Sequence, residues 1–419
     1  MGRVLPTADG QVMAILLKIA KFIGKGLLAL LSILIIILTG LYASDPTYFG
    51  RIYRLPFVDI VRDVDFYAPL EVVKGNPAPP IPRAVERERT ISQVAWTRAL
   101  DYAKKMESLA LVVWRGGRIE YEYYKDGFKP EDRTDPASMH KSVVALVVGA
   151  AVADGLIQSI DDPVAKYVPE WATDDRARIT IRQLLTMSSG LARQPFSPSP
   201  FAEGMRLNLG AEIRNLTLGI KAGVAPDTVF SYYNFNPQML GLLIERVSGK
   251  RYAQYLSDRL WSRLGTRDAY VNLDHEGGLA RTYCCLQASA EDWIRVGLLH
   301  LNKGRVGDDQ VLPENWMAQV TSPSPLNPNY GFLTWLGTTY EPVRGYGEGV
   351  PVGVPHSEPF AAPDVIFFDG AGGQRVYIAP SKDLVIVRTG AGGIDLEKGQ
   401  FTWDDSIVPN ALIHGLGEP

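Results

Sequence analysis

The sequence predicts an α+β fold: an antiparallel sheet built from strands near both ends of the globular body, flanked by helices, with a helical region inserted between them. Two hairpin signals and one change of period predict it. Leu109-Ala-Leu-Val-Val-Trp-Arg-Gly-Gly-Arg-Ile-Glu-Tyr-Glu-Tyr-Tyr is a pair of apolar and aromatic runs turning at Gly116-Gly117. Arg375-Val-Tyr-Ile-Ala-Pro-Ser-Lys-Asp-Leu-Val-Ile-Val-Arg is a second pair, turning over Pro380 to Asp383. Between them, roughly residues 140–300, the chain is mostly helical in pattern. Strands at both ends and helices between them give one sheet drawn from the two ends of the body.

The elements follow in chain order. Gly26 to Ala43 carries no charge. At about 1.5 Å per residue it reaches roughly 27 Å, close to the hydrocarbon thickness of a bilayer. Lys18, Lys21 and Lys25 precede it at helical spacing among apolar residues. The helix therefore extends back along the interface, with these lysines snorkelling. Arg3 and three lysines against Asp9 place the N-terminus in the cytosol and the rest beyond the membrane, on the periplasmic or extracytoplasmic side. The alternative is a cleavable signal peptide, for which Leu41-Tyr42-Ala43 is a poor cleavage site. The chain divides into residues 1–43 (cytosolic N-terminus and anchor), 44–91 (a connector) and 92–419 (the body). In the connector, Gly75-Asn-Pro-Ala-Pro-Pro-Ile-Pro82 is a semi-rigid extended spacer, and the aromatic stretch Tyr48 to Val73 packs on the body rather than dangling. Val94 to Ser108 is an amphipathic helix.

Composition excludes several classes. The 419 residues hold 43 Lys and Arg against 46 Asp and Glu, a net charge of −3, so no nucleic acid is expected as partner. The only cysteines are adjacent, Cys284 and Cys285. They cannot staple distant segments and are expected to be buried small apolar groups. No His-Glu-x-x-His, Gly-x-x-x-x-Gly-Lys or Gly-x-Ser-x-Gly occurs, against a zincin, a P-loop NTPase and an α/β-hydrolase elbow.

The candidate chemistry begins at Ser138-Met-His-Lys141, which opens the most apolar run of the body, Ser142 to Ala153, two residues after Pro136. If Ser138 lies in a first helical turn, Lys141 shares its face. A helix apolar all round is buried. Burial disfavours the charged amine, and a neutral Lys141 can take the Ser138 proton. The plainer reading is a capping serine beside a snorkelling lysine. Tyr232-Tyr-Asn234 precedes an amphipathic helix. A phenol beside a lysine can relay protons, and an Asn amide can hold a substrate carbonyl; the plainer reading of Tyr232 is a half-buried core tyrosine. Asp369-Gly-Ala-Gly-Gly-Gln374 leads into a strand. Its glycines let backbone N–H groups approach an oxyanion, or simply form a turn, with Asp369 a turn carboxylate. His140 is expected to pack. The Pro-rich loops 192–205 and 340–362 are expected to shape a pocket.

Together these stretches resemble the serine β-lactamase and penicillin-binding-protein superfamily, from about residue 92 to 400, and within it the class C-like hydrolases that include esterases and 6-aminohexanoate-dimer hydrolases. Ala137-Ser-Met-His-Lys-Ser-Val resembles the first motif and Phe230-Ser-Tyr-Tyr-Asn the second. Asp154-Gly-Leu-Ile, Val168-Pro-Glu-Trp and Ile179 to Leu191 are similar to the segments between them. Asn327-Pro-Asn-Tyr-Gly-Phe and Gly372-Gly-Gln with Tyr377 resemble the C-terminal part. The resemblance implies a β-lactamase/transpeptidase-like fold and no cofactor or metal. It implies Ser138 as acylated nucleophile, Lys141 as base, Tyr232 as relay, and Asn234, Gly372 and Gly373 as substrate-binding residues. The oxyanion hole would join the Ser138 amide to one from about Gly370 to Gln374. One departure matters. The family's third motif is often Lys-Thr-Gly or His-x-Gly, whereas Phe368-Asp369-Gly370 has no basic residue. That removes a cation expected to hold a penicillin carboxylate and favours an ester or amide substrate.

The expected function is a membrane-anchored serine hydrolase of small ester or amide substrates, with the lipid bilayer as its other partner. Two alternatives compete with it: a non-enzymatic accessory subunit of a membrane complex, and a penicillin-recognising protein.

Overall fold

The computed structural model describes residues 8–194, 197 and 199–417. Arg3, used above for orientation, and Pro195, Phe196 and Pro198 of the Pro-rich loop lie outside the described residues. The chain forms two compact units, Met1–Phe57 and Val58–Pro419.

The first unit is dominated by helix α1 (Ala8–Ser44), 37 residues. No proline interrupts this stretch, so the helix runs well before the charge-free segment. Its part Ile15–Ser44, 30 residues of mean hydropathy 2.5, is long and apolar enough to cross a membrane. The helix ends at Asp45, whose carboxylate accepts the Tyr48 N–H at 3.0 Å and caps a short helix over Pro46–Arg54. The Tyr53 hydroxyl donates to the Leu38 carbonyl at 2.9 Å. Part of the expected connector is therefore helical and folded back on α1.

In the second unit the rest of that stretch is bound to the body. Leu70–Val73 pairs antiparallel with Ala269–Asn272. The Pro-rich spacer cannot join a ladder through its prolines, yet the amides of Gly75, Ala78 and Ile81 find acceptors. Ala78 N donates to Gly265 O at 3.0 Å and Ile81 N to Glu291 Oε1 at 3.2 Å. Gly75 lies so close to the chain that a Cβ would come 2.2 Å from Thr266 O. The spacer is thus a strap on the surface.

The body starts with α2 (Gln93–Lys105), capped by Ser92, and the hairpin β1 (Ser108–Arg115) and β2 (Arg118–Tyr124). The inserted region contains α3 (His140–Ala153), α4 (Phe235–Ser248) and α5 (Ala290–Leu301). Strands β3 (Trp335–Leu336), β4 (Ile366–Gly370), β5 (Gln374–Ala379) and β6 (Leu384–Gly390) follow, then α6 (Ile407–His414). The strand order is β2-β1-β6-β5-β4-β3, antiparallel throughout. The sheet therefore joins the two chain regions, as the sequence predicts.

Helices cover both faces. Gly297 of α5 lets that helix reach the sheet: a Cβ there would lie 2.6 Å from Val385 and 3.2 Å from Val376. Alternate residues of a strand face opposite sides, and Tyr377 faces away from α5. It accepts from Trp403 Nε1 at 2.9 Å, and the Trp403 ring lies 5.2 Å from Tyr102 of α2. Helix α3 is buried from His140 to Ala151, which its all-round apolar pattern requires. The candidate nucleophile stands in the turn just before it, against the end of β4.

Candidate active site

A single turn of 3₁₀ helix, Ala137–Met139, leads into α3. Ala137 holds φ at +48°, rare for a residue with a side chain. Neighbours hold it there. Asp135 Oδ1 accepts the Ala137 N–H at 2.8 Å, and Cys285 N donates to the Ala137 carbonyl at 3.2 Å. The end of β4 presses on the same turn: a Cβ at Gly370 would meet Pro136 O at 2.2 Å. Ser138 is thus presented on a rigid turn at the mouth of a cavity of about 290 Å³.

Lys141, one turn on, has its Nζ 2.6 Å from Ser138 Oγ and 2.8 Å from the Tyr283 carbonyl. It is 1% exposed. Burial lowers its pKa to about 7; Asp369 opposes the shift and Arg193 adds to it. An amine that is about half uncharged at neutral pH, held at this distance, can accept the hydroxyl proton.

Tyr232 stands just before α4, its N–H donating to Tyr346 O at 3.0 Å. It stands beside Ser138, which opposes the shift, while burial pushes its pKa up. Lys141 Nζ lies 4.7 Å from its ring centroid. Packing against Tyr346 and Trp335, at 5.1 and 5.7 Å between centroids, fixes the ring. Asn234 lines the cavity with Ser138 and Tyr232.

Gly372 and Gly373 are not brought to the cavity. The residue of that turn lining it is Ala371, with Asp369 from the preceding strand. Gly372 O accepts from Arg388 at 2.6 Å, and a Cβ on Gly373 would lie 2.8 Å from Trp403. Both glycines hold positive φ and serve the turn itself. Of the residues of this turn, Ala371 rather than Gly372 or Gly373, the two expected to bind substrate, lines the cavity.

Asp369 is not an exposed turn carboxylate. It lies on β4 directly opposite Arg375 of β5. It pairs with Arg375 and with Arg344 and accepts from the Tyr346 hydroxyl at 2.6 Å. Asp405 pairs with the same two guanidiniums at 2.9 and 2.8 Å. All four charges are buried and balance two against two. The Asp369–Arg375 pair was visible in the sequence as opposite charges flanking a glycine turn; Arg344 and Asp405 come from distant segments.

His140 is fully buried, with Nδ1 2.6 Å from Cys284 O and Nε2 2.9 Å from the Tyr252 hydroxyl. Burial lowers its pKa to about 4, so it packs as a neutral ring. The expectation of two separate apolar cysteines is corrected: Cys284 and Cys285 are joined to each other. Their segment supplies the carbonyl partners of Lys141 and His140. Both Pro-rich loops reach the cavity, through Arg193, Gln194 and Glu203 from one and Tyr346, Val350 and Val352 from the other. Sequence reasoning missed Arg193, whose only signal was its place in the first loop. Among the described residues, no group of three or more His, Cys, Asp or Glu is placed to hold a metal ion.

Comparisons with known proteins bear on the family and the fold. A profile of the Beta-lactamase family matches residues 92–395. A curated 6-aminohexanoate-dimer hydrolase of Paenarthrobacter ureafaciens is 31% identical over 239 residues, 54% of this chain. The chain spans 60% of the length of that relative. Among solved structures, a Bacillus anthracis protein assigned as a 6-aminohexanoate-dimer hydrolase superposes with a TM-score of 0.65 at 21% identity, over 79% of this chain and 87% of its own. D-alanine carboxypeptidase AmpC of Burkholderia cenocepacia does so with a TM-score of 0.54 at 19% identity, over 73% and 95%. These two likenesses concern the fold. With the profile covering most of the body and the fold of the same kind, the chain belongs to the Beta-lactamase family, a family of serine hydrolases.

Proposed function

We propose that this protein is a membrane-anchored hydrolase that cleaves ester or amide bonds through an acyl-enzyme on Ser138. The observation that carries the reading is the buried Lys141 amine, 2.6 Å from Ser138 Oγ at the cavity mouth. Neutral Lys141 takes the Ser138 proton as Oγ attacks the substrate carbonyl. The oxyanion forms against the Ser138 and Ala371 amides, and the N-terminus of α3 favours its charge. The Tyr232 hydroxyl, beside Ser138, gives its proton to the leaving alkoxide or amine as the carbon–heteroatom bond breaks and takes the proton that Lys141 holds, which leaves the amine neutral again. Asn234 holds the substrate carbonyl side. Water then attacks the acyl-enzyme with Lys141 again as base, releasing the acid and restoring the Ser138 hydroxyl.

The apolar α1 supports an anchor, with the body on the extracytoplasmic side. The similarity to a 6-aminohexanoate-dimer hydrolase supports an amide or ester substrate. Where a penicillin-recognising relative would offer an unpaired cation, this chain has Asp369, already engaged by two arginines. The test is labelling with a fluorophosphonate and turnover of p-nitrophenyl esters. Wild type is expected to do both and Ser138→Ala neither; full activity in Ser138→Ala overturns the mechanism.

A further inference from the structure

Arg193 is the one cation among the described residues lining the cavity that Ser138 and Tyr232 share. Its Nη1 donates to Ser231 Oγ at 3.2 Å and to the Tyr232 carbonyl at 2.8 Å. Its guanidinium lies 4.9 Å from the centroid of the Tyr233 ring. All of these partners are neutral. Among the described residues no carboxylate reaches Arg193 at ion-pair distance, and its Nε–Nη2 edge makes no hydrogen bond. The nearby Arg344 and Arg375 are different, because Asp369 and Asp405 neutralise them.

Tyr233 separates Arg193 from the carboxylate on the same loop. Its face meets the guanidinium, while its hydroxyl donates to Glu203 Oε2 at 2.6 Å. The phenol therefore keeps Glu203 occupied one ring away. A half-buried guanidinium with an open planar edge and no internal counter-charge is a carboxylate site, since the two N–H groups of that edge match two carboxylate oxygens.

We infer that the substrate carries a carboxylate and that Arg193 binds it during the reaction at Ser138. This deepens the proposed function and rests on it. The cation missing from the third motif is thereby supplied from a different loop. An acyl group or leaving group ending in a carboxylate is preferred to its uncharged counterpart.

The test uses the full chain in detergent and two matched ester pairs. Mono-p-nitrophenyl adipate against p-nitrophenyl hexanoate places the charge on the acyl side. A 4-carboxyphenyl against a phenyl hexanoate places it on the leaving group. Wild type is expected to favour the carboxylate in kcat/KM in at least one pair. Arg193→Gln should cut that ratio by about 10- to 100-fold, the range of a charge-assisted hydrogen bond. Arg193→Lys should keep part of it, because a point charge lacks the fork. Ratios at or below one in both pairs overturn the inference, as does a ratio unchanged by Arg193→Gln in a variant that still reacts with fluorophosphonate. If wild type does not react with fluorophosphonate at Ser138, the hydrolase reading fails and this one with it. Labelling with a flat ratio defeats the carboxylate site alone.

Discussion

The carbonyl of Tyr283 accepts a hydrogen bond from Lys141 Nζ at 2.8 Å. That bond occupies one N–H and leaves the lone pair of a neutral amine to meet Ser138, 2.6 Å away. Below its pKa of about 7 the amine holds a proton and cannot accept another. The expected kcat/KM therefore climbs tenfold per pH unit up to about pH 7 and levels off above it. Lys141→Ala should lower kcat by about 10²- to 10⁴-fold, and Lys141→Arg should be as inactive, since a guanidinium stays charged. A pH–rate profile on a neutral ester checks both; a flat profile from pH 5 to 9 removes Lys141 as base.

Tyr232→Phe tests the relay separately. The ring packing on Tyr346 and Trp335 survives the change, so the fold should be kept. Loss of the hydroxyl should cost about 10²-fold in kcat. The loss should be larger for amides than for activated aryl esters, whose leaving groups need no proton. Equal loss on both substrates points to a positioning role.

Asp135 supports the nucleophile turn through the Ala137 N–H, yet burial raises its pKa to about 7. A carboxyl whose folded pKa lies above its unfolded value stabilises the fold fully at low pH and loses that contribution as pH rises through 7. Asp135→Asn keeps an acceptor for Ala137 and cannot ionise. Its Tm should match wild type near pH 4 and exceed it at pH 8, by the equivalent of a few kcal/mol at most. Thermal melts at the two pH values decide; a variant less stable at pH 8 shows that the ionised form is the one the turn uses.

These groups were not equally legible in the sequence. Ser138 and Lys141 could be paired because local spacing and an all-apolar helix carry their geometry, whereas Tyr232, far along the chain, was picked out only by the resemblance of its Tyr-Tyr-Asn stretch to the family's second motif. The two hairpins were equally plain, since alternation and turn residues are local. What escaped depends on distant chain. Val73 pairs with Ala269, and Arg344 and Asp405 reach Asp369 from separate segments. No local pattern encodes such meetings. Gly372 and Gly373 were read for their freedom to approach a ligand, whereas that freedom is spent on positive φ and close packing with Trp403. The spacer read as semi-rigid and extended is tied to the body through backbone amides, which composition does not reveal.

Helix α1 predicts how the chain partitions. A segment of 30 residues with mean hydropathy 2.5 is longer than the roughly 20 residues that span a bilayer. The full protein should stay in the membrane fraction after alkaline washing and leave it only with detergent. A chain lacking residues 1–44 should be recovered in the soluble fraction with unchanged kcat on a water-soluble ester. Soluble recovery of the full chain with an intact N-terminus counts against the anchor, and a mature N-terminus near residue 44 identifies a cleaved leader instead.

The four-charge cluster behind the pocket links stability to chemistry. Asp369→Asn leaves Arg344 and Arg375 to share Asp405, an uncompensated buried positive charge. Removing one partner of a buried pair costs about 3–5 kcal/mol. Asp369 also raises the Lys141 pKa, so its loss lets that pKa fall. The variant should melt at lower temperature, and its remaining activity should reach the plateau at a lower pH than wild type. A purely structural Asp369 would lower the Tm and leave the midpoint of the pH–rate profile where it was. Adding Arg344→Met to Asp369→Asn restores the charge balance. The double variant should recover part of the Tm, while the pH midpoint stays where Asp369→Asn puts it, because Asp369 and Arg193 are the charges that act on the Lys141 amine. Calorimetry and pH–rate profiles on the same three proteins separate the two effects. A double variant that recovers no Tm shows that shape, rather than charge balance, holds this wall of the site.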